Sequence, residues 1–527
     1  MTISPAPFSN STDLASVDWA KLQNGSDIRG VALEGVADEQ VNLTGEVVTR
    51  LGQAFAAWLS ATLGKPAGEL TISMGRDSRL SGPELMRAAI AGITRSGCDV
   101  LDFGIASTPA MFMSTVLADS GIPKCDGAIM LTASHLPFNR NGLKFFTKQG
   151  GLDKKDIKAI LQLAEAGEFK SPGEVGAIAQ HDFISVYAAR LVDIVRKGVN
   201  HPEHYDLPLQ GLKIVMDAGN GAGGFYCDRV LAPLGADTTG SQFLDPNGTF
   251  PNHVPNPENA EAMASICQAV LENQADFGII FDTDVDRGAA VDASGRPLNR
   301  NRLIALMSAI VLREHPGSTI VTDSITSDGL AEFIQDKGGV HHRLKRGYKN
   351  VINESQRLNG EGQESWLAIE TSGHGAMREN YFLDDGAYLV TKLLVELAKS
   401  KLDGKSVVEA ISTLKEPVES EEIRMKIEAE DFKSYGEEVI AGVKAFAEEQ
   451  AGWEVVPNNY EGVRVACTSP EEDGWFLLRL SLHDPVMPLN IESNVEGGVK
   501  VIGNRLLEFF QVQRKLNLSA FNADGYK

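Results

Sequence analysis

Three stretches of the chain share one pattern: a short apolar, β-prone run is followed by small or polar turn residues and then by a helical stretch. They start near Glu69, Leu212 and Ser318 and read ELTISMGRDSRLSG, LKIVMDAGNGAGG and STIVTDSITSDGL. A strand that ends in a polar loop and continues into a helix is how an α/β unit begins. The pattern therefore predicts three successive α/β domains with mixed sheets.

The pattern changes after Glu419, where a charged, strand-like EEIRMKIEAE precedes a helix-like DFKSYGEEVIAGVKAFAEEQ and the strand-like GVRVACT and WFLLRLSL. This order predicts a smaller C-terminal α+β domain. Polar stretches that contain proline separate the predicted domains. The predicted divisions are a loose N-terminal arm at 1–20 and four domains at 21–205, 206–315, 316–419 and 420–527.

Composition indicates an ordinary globular protein, with 43% hydrophobic and 23% charged residues in 527. The net charge of -22 argues against nucleic acid or an anionic membrane as a partner. Five scattered cysteines without a paired motif make a disulfide framework or zinc site unexpected, and we expect a reducing, cytoplasmic location. An anionic substrate would need a local group of arginine, lysine and histidine residues.

One acidic motif, DTDVDRG, follows the strand-like ADFGIIF and spaces Asp282, Asp284 and Asp286 two residues apart. In an extended turn three such carboxylates can converge on a hard cation. An EF-hand is excluded because Arg287 stands where the loop needs glycine and Ala293 where it needs glutamate. The motif favours either Mg²⁺ shared with a phosphate oxygen or an acidic turn neutralised by Arg287.

The glycines of DAGNGAGG match the GxGxxG spacing of a dinucleotide-binding loop and suggest, as a remote alternative, an NAD(P)-dependent oxidoreductase. That fold also needs an acidic residue about 20 residues further on, at the end of the next strand. Asp237 is the nearby acid, and its place in LGADTTG does not fit. We therefore interpret these glycines as a tight turn between a strand and a helix.

Further polar groups could bind a phosphorylated sugar. In IETSGH the alternating Glu370, Ser372 and His374 suit sugar hydroxyls, although a capped turn would look the same. The motifs KRGYKN and LRLSLHDP carry side chains that could bind phosphate, although a solvated cationic surface would look the same. These side chains are Lys345, Arg346, Lys349, Arg479, Ser481 and His483. With Arg29, Lys144 and Arg287 from elsewhere in the chain, they would supply the positive charge that an anionic substrate needs.

The segment TASHLPFNRNGLK places Ser134 directly after the buried-strand run CDGAIML, where α/β folds carry their chemistry. No GxSxG motif surrounds this serine, so acyl transfer is disfavoured. A serine that carries phosphate needs a metal and a basic group nearby. The three aspartates and Lys144 would supply them, and the competing interpretation is a helix cap with a turn.

Taken together, these motifs resemble those of the α-D-phosphohexomutase superfamily, over nearly the whole chain. TASHLPFNRNGLK resembles its phosphoserine loop, DTDVDRG its Mg²⁺ loop, ETSGH its sugar-recognition loop, and RLSLHDP lies where its C-terminal phosphate loop is expected. GRDSR, DAGNGAGG and GYK also resemble family segments. The resemblance implies four domains around a central cleft.

The resemblance also implies a role for each candidate residue. Ser134 would be the phosphorylated nucleophile and, with the three aspartates, a Mg²⁺ ligand. His135 and Lys144 would lie beside the reacting oxygen, with Lys144 as acid or base. The other roles are charge stabilisation by Arg29 and Arg287, sugar binding by Glu370, Ser372 and His374, and phosphate binding by Lys349, Arg479, Ser481 and His483.

The implied reaction interconverts hexose 1-phosphate and hexose 6-phosphate, of glucose or mannose, through a hexose 1,6-bisphosphate intermediate. The expected partners are sugar phosphates, and the expected assembly is a monomer or dimer. Three departures from the family pattern concern Leu136 for an asparagine, Tyr348 for a histidine, and Leu482 to Asp484 in the phosphate loop. The altered phosphate loop suggests an alternative, a hexose-1,6-bisphosphate synthase that uses a sugar bisphosphate donor.

Overall fold

The computed structural model describes residues 14–117, 122, 124–169, 174–481 and 484–523. The chain divides into two compact units, one formed by Met1–Asn299 with Ser372–Val407 and the other by Arg300–Thr371 with Val408–Lys527. The segment Ser372–Val407 of the predicted third domain thus belongs to the first unit. No helix in these described ranges is both long and apolar enough to span a bilayer.

The first sheet of the first unit is mixed. Its strands run in the order β1-β2-β6-β5-β3-β4-β8, with β7 beside β6. The elements are β1 Gln23–Asn24, β2 Asp27–Val31, α1 Gly45–Leu63, β3 Thr71–Arg76, α2 Gly82–Arg95, β4 Asp99–Ile105, α3 Thr108–Val116, β5 Gly127–Leu131, β6 Arg140–Thr147, β7 Gly150–Gly151, α4 Lys154–Ala166, β8 Ile178–Gln180 and α5 Phe183–Val199. The strand β3 is parallel to β4 and β5, whereas β6 is antiparallel to β5.

Helices α1, α2 and α4 cover this sheet with a continuous apolar core. All five residues of β5 are buried, as expected for a central strand with both faces covered. Trp19, which the sequence placed in the N-terminal arm, is buried in the same core, and Leu14 and Val17 pack against that core. Residues 1–13 lie outside the described chain.

The second sheet of this unit has the order β12-β11-β10-β9, with β9 parallel and β11 antiparallel to β10. Its elements are β9 Ile214–Asp217, α6 Ala260–Asn273, β10 Phe277–Phe281, β11 Gly288–Asp292 and β12 Pro297–Leu298. The remaining part of the unit is a strand pair followed by a long helix. These are β16 Gly375–Met377, β17 Leu383–Asp384 and α10 Gly386–Leu402.

The second unit begins with three parallel strands, and β13 lies between β14 and β15. Its elements are α7 Arg300–Glu314, β13 Thr319–Asp323, α8 Asp328–Asp336, β14 Val340–Leu344, α9 Tyr348–Gly360 and β15 Ser365–Ile369. Each strand is followed by a loop, and β13 and β14 each continue into a helix. The three α/β sheets confirm the α/β expectation for the first four fifths of the chain.

The C-terminal part of the second unit is an antiparallel sheet of order β19-β20-β21-β22-β18-β23. Its elements are β18 Glu419–Ile427, α11 Phe432–Glu448, β19 Trp453–Val455, β20 Val463–Cys467, β21 Gly474–Leu478, β22 Val486–Ser493, α12 Gly498–Phe510, β23 Leu516–Asn517 and α13 Ser519–Ala523. Apolar residues of the sheet and of α11 and α12 form one core. This arrangement confirms the α+β prediction. The predicted domain boundaries and the central cleft stay predictions.

The contact between α1 and α2 is close because glycines replace side chains at the crossing. A Cβ atom on Gly92 would overlap the carbonyl oxygen of Thr49, and one on Gly52 would overlap that of Ala89. Both overlaps involve main chain, which cannot move as a flexible side chain does.

We expect Gly92→Ala to lower the free energy of unfolding of this unit by about 2 kcal/mol, because the overlap outweighs alanine's better helix propensity. Gly45→Ala is the matched control on α1, since its Cβ would lie 3.7 Å from the Ala88 Cβ, an ordinary contact. Urea unfolding of both variants measures the difference. Equal midpoints would show that the crossing tolerates a methyl group.

Candidate active site

The Ser134 loop begins where β5 ends, at the carboxyl edge of the first sheet. Ser134 is buried and has a left-handed backbone, with φ of 50°. This conformation costs a residue other than glycine about 1 kcal/mol or more, so surrounding contacts must enforce it. The Ser134 N–H donates to Thr132 Oγ1 at 2.8 Å, and the Ser134 Oγ donates to Asp282 Oδ2 at 2.8 Å.

The three aspartates of DTDVDRG lie in the loop between β10 and β11. Asp282, Asp284 and Asp286 are each at most 2% exposed, and they offer oxygens that all lie within 4.8 Å of one another. Val285, within the loop, has φ of 68°, an unusual conformation for a β-branched residue. The structure therefore brings the three carboxylates to one point beside Ser134.

Lys144, on β6, compensates part of this buried negative charge. Its Nζ forms a salt bridge with Asp284 Oδ2 at 2.8 Å and another with Asp286 Oδ2. Burial, together with the charges of Asp286 and Asp284, raises the pKa of Asp282 well above its usual value. Although burial favours the neutral form of Asp286, Lys144 and Arg287 hold its pKa below the usual value.

The carboxylate cluster fits a hard divalent cation. In the described part of the chain, Oδ1 of Asp284 and Oδ1 of Asp286 are buried and accept no hydrogen bond. Unsatisfied buried carboxylate oxygens are costly in the free protein, and carboxylate oxygens are the ligands that Mg²⁺ prefers. When all three carboxylates are ionised, as metal binding requires, the two cations Lys144 and Arg287 leave an excess of negative charge. The residues present thus suit Mg²⁺.

Glycines of the DAGNGAGG turn let a second loop approach the aspartates. A Cβ on Gly221 would lie 2.6 Å from the carbonyl oxygen of Thr283, which accepts the Ala222 N–H at 2.8 Å. This close approach gives the glycine a structural purpose. It supports the interpretation of the segment as a tight turn.

Arg287 and His374 form a buried pair next to the aspartates. The Arg287 Nε donates to His374 Nε2 at 3.1 Å, so the His374 Nδ1 carries a proton and donates to Ser372 Oγ at 2.8 Å. Burial and the neighbouring Arg287 lower the pKa of His374 well below its usual value. His374 therefore orients Arg287 as a neutral acceptor, and its sugar-binding role stays a prediction.

Two other predicted residues lie at the Ser134 loop. The His135 Nδ1 is 3.2 Å from Ser134 Oγ, and burial, aided by Arg287 and Arg29, lowers the pKa of His135 to about 3. Arg29 reaches the same loop, since its Nη1 donates to the Ala133 carbonyl oxygen at 3.5 Å while Nη2 pairs with Asp27 at 3.0 Å. The structure thus brings together Ser134, the aspartates, Lys144, His135, Arg29 and Arg287.

The remaining predicted residues lie in the second unit. Glu370 follows β15 and accepts the Gly347 N–H at 2.6 Å, which ties it to the loop before α9. Lys349 is half-buried in the first turn of α9. Arg479 is 7% exposed, with its Nη2 3.8 Å from Glu422 Oε2.

The predicted phosphate loop after β21 is described only in part. Ser481 Oγ accepts the Asp484 N–H at 3.3 Å. Leu482 and His483 lie outside the described residues. The role of His483 therefore stays a prediction.

Sequence reasoning missed two supports of the site. Thr108, the first residue of α3, donates its N–H to the Asp284 carbonyl oxygen at 2.8 Å and its hydroxyl to Asp284 Oδ2. His253 Nε2 lies 2.9 Å from Asp217 Oδ2, and this contact anchors the segment that contains Asn256. The Asn256 side chain accepts from Arg287 Nη1 at 3.4 Å. A threonine at a helix start and a histidine in a loop carry no signal in a single sequence.

The chain is similar to known proteins in sequence and in structure. Family models described as phosphoglucomutase/phosphomannomutase alpha/beta/alpha domains I, II and III match residues 20–171, 193–295 and 299–416. A phosphoglucomutase of Neisseria meningitidis serogroup A is 30% identical over 91% of this chain and 94% of the relative. A phosphomannomutase/phosphoglucomutase of Pseudomonas syringae pv. tomato is 30% identical over 88% of this chain and 92% of the relative.

The crystal structure of a phosphoglucomutase/phosphomannomutase family protein from Burkholderia thailandensis is also similar, with a TM-score of 0.77. It is 28% identical in sequence, and the match covers 94% of this chain and 98% of that chain. The likeness extends over both compact units.

We expect Asp284→Asn to weaken Mg²⁺ binding by about 10-fold or more, because it replaces a charged ligand oxygen by a neutral amide of the same size. Isothermal titration of the metal-free protein with MgCl₂ measures this change. Asp245→Asn, which alters an exposed carboxylate of the same unit, should leave the affinity unchanged. Equal affinities of Asp284→Asn and the unaltered protein would exclude the cluster as the cation site.

Proposed function

Because the chain belongs to the phosphoglucomutase/phosphomannomutase family, we propose that it interconverts hexose 1-phosphate and hexose 6-phosphate through a phosphoserine at Ser134. The members of this family are phosphotransferase and isomerase enzymes. The observation that carries the proposal is the 2.8 Å hydrogen bond between Ser134 Oγ and Asp282 in a buried cluster of three carboxylates. We further propose glucose and mannose as the sugars, since the relatives are a phosphoglucomutase and a phosphomannomutase/phosphoglucomutase.

The first step transfers the phosphoryl group from Ser134 to the free hydroxyl of the bound sugar. For hexose 1-phosphate, an O6–P bond forms as the Ser134 Oγ–P bond breaks, and the proton of O6 is carried to the serine oxygen. Lys144 is the candidate carrier: its ammonium group, kept in this buried site by two salt bridges, would give a proton to the serine oxygen and regain one from O6. The product of the step is hexose 1,6-bisphosphate.

In the second step the bisphosphate turns around, the O1–P bond breaks as a new Ser134 Oγ–P bond forms, and the serine proton passes to O1. Hexose 6-phosphate then leaves. Such phosphoryl transfers depend on positioning and on neutralisation of charge more than on covalent chemistry. The guanidinium groups of Arg29 and Arg287 would stabilise the transferring group, with Arg287 oriented by His374.

Ser134 Oγ, Asp282, Asp284 and Asp286 would hold a Mg²⁺ ion. When bound, this ion would withdraw negative charge from the phosphoserine oxygens. The carboxylate oxygens of Asp284 and Asp286 that accept no hydrogen bond in the described chain support this ligand set.

Substrate recognition is assigned to the loops after β15 and β21. Glu370 and Ser372 would accept hydroxyl groups of the sugar, while Arg479 and Ser481 would bind the phosphate that does not react, with Lys349 and His483 as further contacts. The buried guanidinium of Arg479 supports this assignment, because its Nε finds no hydrogen-bond acceptor among the described residues. A buried charged donor of this kind suits an anionic ligand.

We expect Ser134→Ala to abolish the interconversion of glucose 1-phosphate and glucose 6-phosphate in the presence of MgCl₂ and glucose 1,6-bisphosphate. The variant removes the one oxygen that would carry the phosphoryl group, and the small change should leave the fold intact. A coupled assay for glucose 6-phosphate measures the rate, and circular dichroism verifies folding. Activity retained by a folded Ser134→Ala protein would refute the proposal.

The same reaction mixtures separate a mutase from a hexose-1,6-bisphosphate synthase. With fructose 1,6-bisphosphate as donor and glucose 1-phosphate as acceptor, a mutase should accumulate no stoichiometric glucose 1,6-bisphosphate. Chromatography of the products would reveal a synthase by bisphosphate that builds up as the donor is consumed.

A further inference from the structure

Arg79, in the GRDSR segment after β3, is a fully buried arginine that the proposed chemistry does not use. We propose that Arg79 is a positioning residue, which holds the Ser134 loop in its reactive conformation through four main-chain carbonyl groups. The guanidinium group would thereby fix the direction of the Ser134 side chain without contacting the substrate.

The contacts of Arg79 with the loop are made entirely by the two terminal nitrogens. Nη1 donates to the carbonyl oxygens of Pro137 at 2.7 Å and Arg140 at 2.9 Å. Nη2 donates to the carbonyl oxygens of Leu136, at 2.7 Å, and Ser134. A planar guanidinium fork can satisfy four converging acceptors, whereas an ammonium group has three donors around one point.

Arg79 is itself held in place from the opposite side. The Arg79 Nε lies 3.3 Å from Asp77 Oδ2, and the main-chain N–H of Arg79 donates to Asp77 Oδ1 at 2.9 Å. Phe250, from the part of the unit with the second sheet, lies with its ring centroid 5.4 Å from the guanidinium carbon. A Cβ on Gly248 would lie 2.7 Å from the Arg79 Cα, so this segment packs directly on the arginine backbone.

The consequence for Ser134 is that both of its main-chain polar groups are bound. Its carbonyl oxygen accepts from Arg79, and its N–H donates to Thr132. The backbone is thereby kept at φ of 50°, and the Oγ is directed to Asp282. Because a displacement of about 1 Å can reduce a rate about 100-fold, the arginine contacts bear directly on the proposed phosphoryl transfer.

One of these contacts is independent of the side chain at position 136. The family pattern has asparagine there, and the sequence alone left the effect of Leu136 open. Arg79 binds the main-chain oxygen of Leu136, which any residue supplies. The loop therefore keeps this contact irrespective of the side chain.

The test variant is Arg79→Lys, which keeps a positive charge opposite Asp77 and cannot reach all four carbonyl groups. We expect kcat to fall about 10- to 100-fold, with KM for glucose 1-phosphate changed less than about twofold, since the arginine contacts no substrate. Hydrogen exchange of the peptide spanning residues 132–141 should become faster. Thr132→Val removes the acceptor of the Ser134 N–H and should also lower kcat with little change in KM. This variant tests the restraint on the Ser134 backbone if Arg79→Lys does not fold.

Gly92→Ala is the matched control, because it destabilises the same part of the first unit at the helix crossing and leaves the loop contacts intact. Its kcat should equal that of the unaltered protein, and any faster exchange should extend over the unit rather than be confined to residues 132–141. The proposal is overturned if a folded Arg79→Lys protein keeps both kcat and loop exchange, or if Gly92→Ala reproduces its loss. The measurement of kcat rests on the proposed mutase function, whereas the measurement of hydrogen exchange does not. A wrong mutase assignment would therefore leave the exchange result intact, and a wrong role for Arg79 would show in the exchange result.

Discussion

The burial of three carboxylates opposite one lysine and one arginine is the constraint on which the rest of the site depends. Burial removes the carboxylates of Asp282, Asp284 and Asp286 from the water that would solvate them, and it strengthens the repulsion between them. The fold holds them together with Lys144, Arg287 and the start of α3. Such an arrangement suits a divalent cation, because carboxylate oxygens are the ligands that hard cations prefer.

The surrounding structure restrains both partners of this interaction. Gly221 lets a neighbouring turn pack on the aspartate loop, and Thr108 binds Asp284 by main chain and side chain. On the other side, Arg79 and Thr132 bind the main chain of Ser134. The Ser134 Oγ and the carboxylates thus approach from two sheets of one compact unit, and hydrogen bonds from neighbouring residues hold each of them in place.

The sequence predicted the parts of this site that depend on local spacing. A two-residue repeat of aspartates after a buried strand indicated convergence, and Ser134 after another buried strand indicated a loop at the edge of a sheet. The α/β pattern and the change to an α+β pattern after Glu419 likewise follow from periodicity along the chain. The structure adds that the convergence is real and that both loops lie in the first unit.

Contacts between distant segments could not be predicted in this way. Hydrophobic periodicity does not predict that His374 accepts a hydrogen bond from Arg287, or that Arg79 binds carbonyl groups more than 50 residues away along the chain. These pairings depend on tertiary packing. The alternation of Glu370, Ser372 and His374 suggested one shared ligand. The structure adds partners that the alternation could not reveal, since His374 accepts from a buried arginine and Glu370 accepts a backbone N–H.

The most direct test of the central claim is the intact mass of the protein after incubation with glucose 1,6-bisphosphate and MgCl₂. If Ser134 carries the phosphoryl group beside the carboxylate cluster, the mass should increase by one phosphoryl group, and the added mass should disappear on later incubation with excess glucose 1-phosphate. The Ser134→Ala protein should show no increase. An unaltered protein that stays unmodified, or a phosphoryl group found on another residue, would contradict the account.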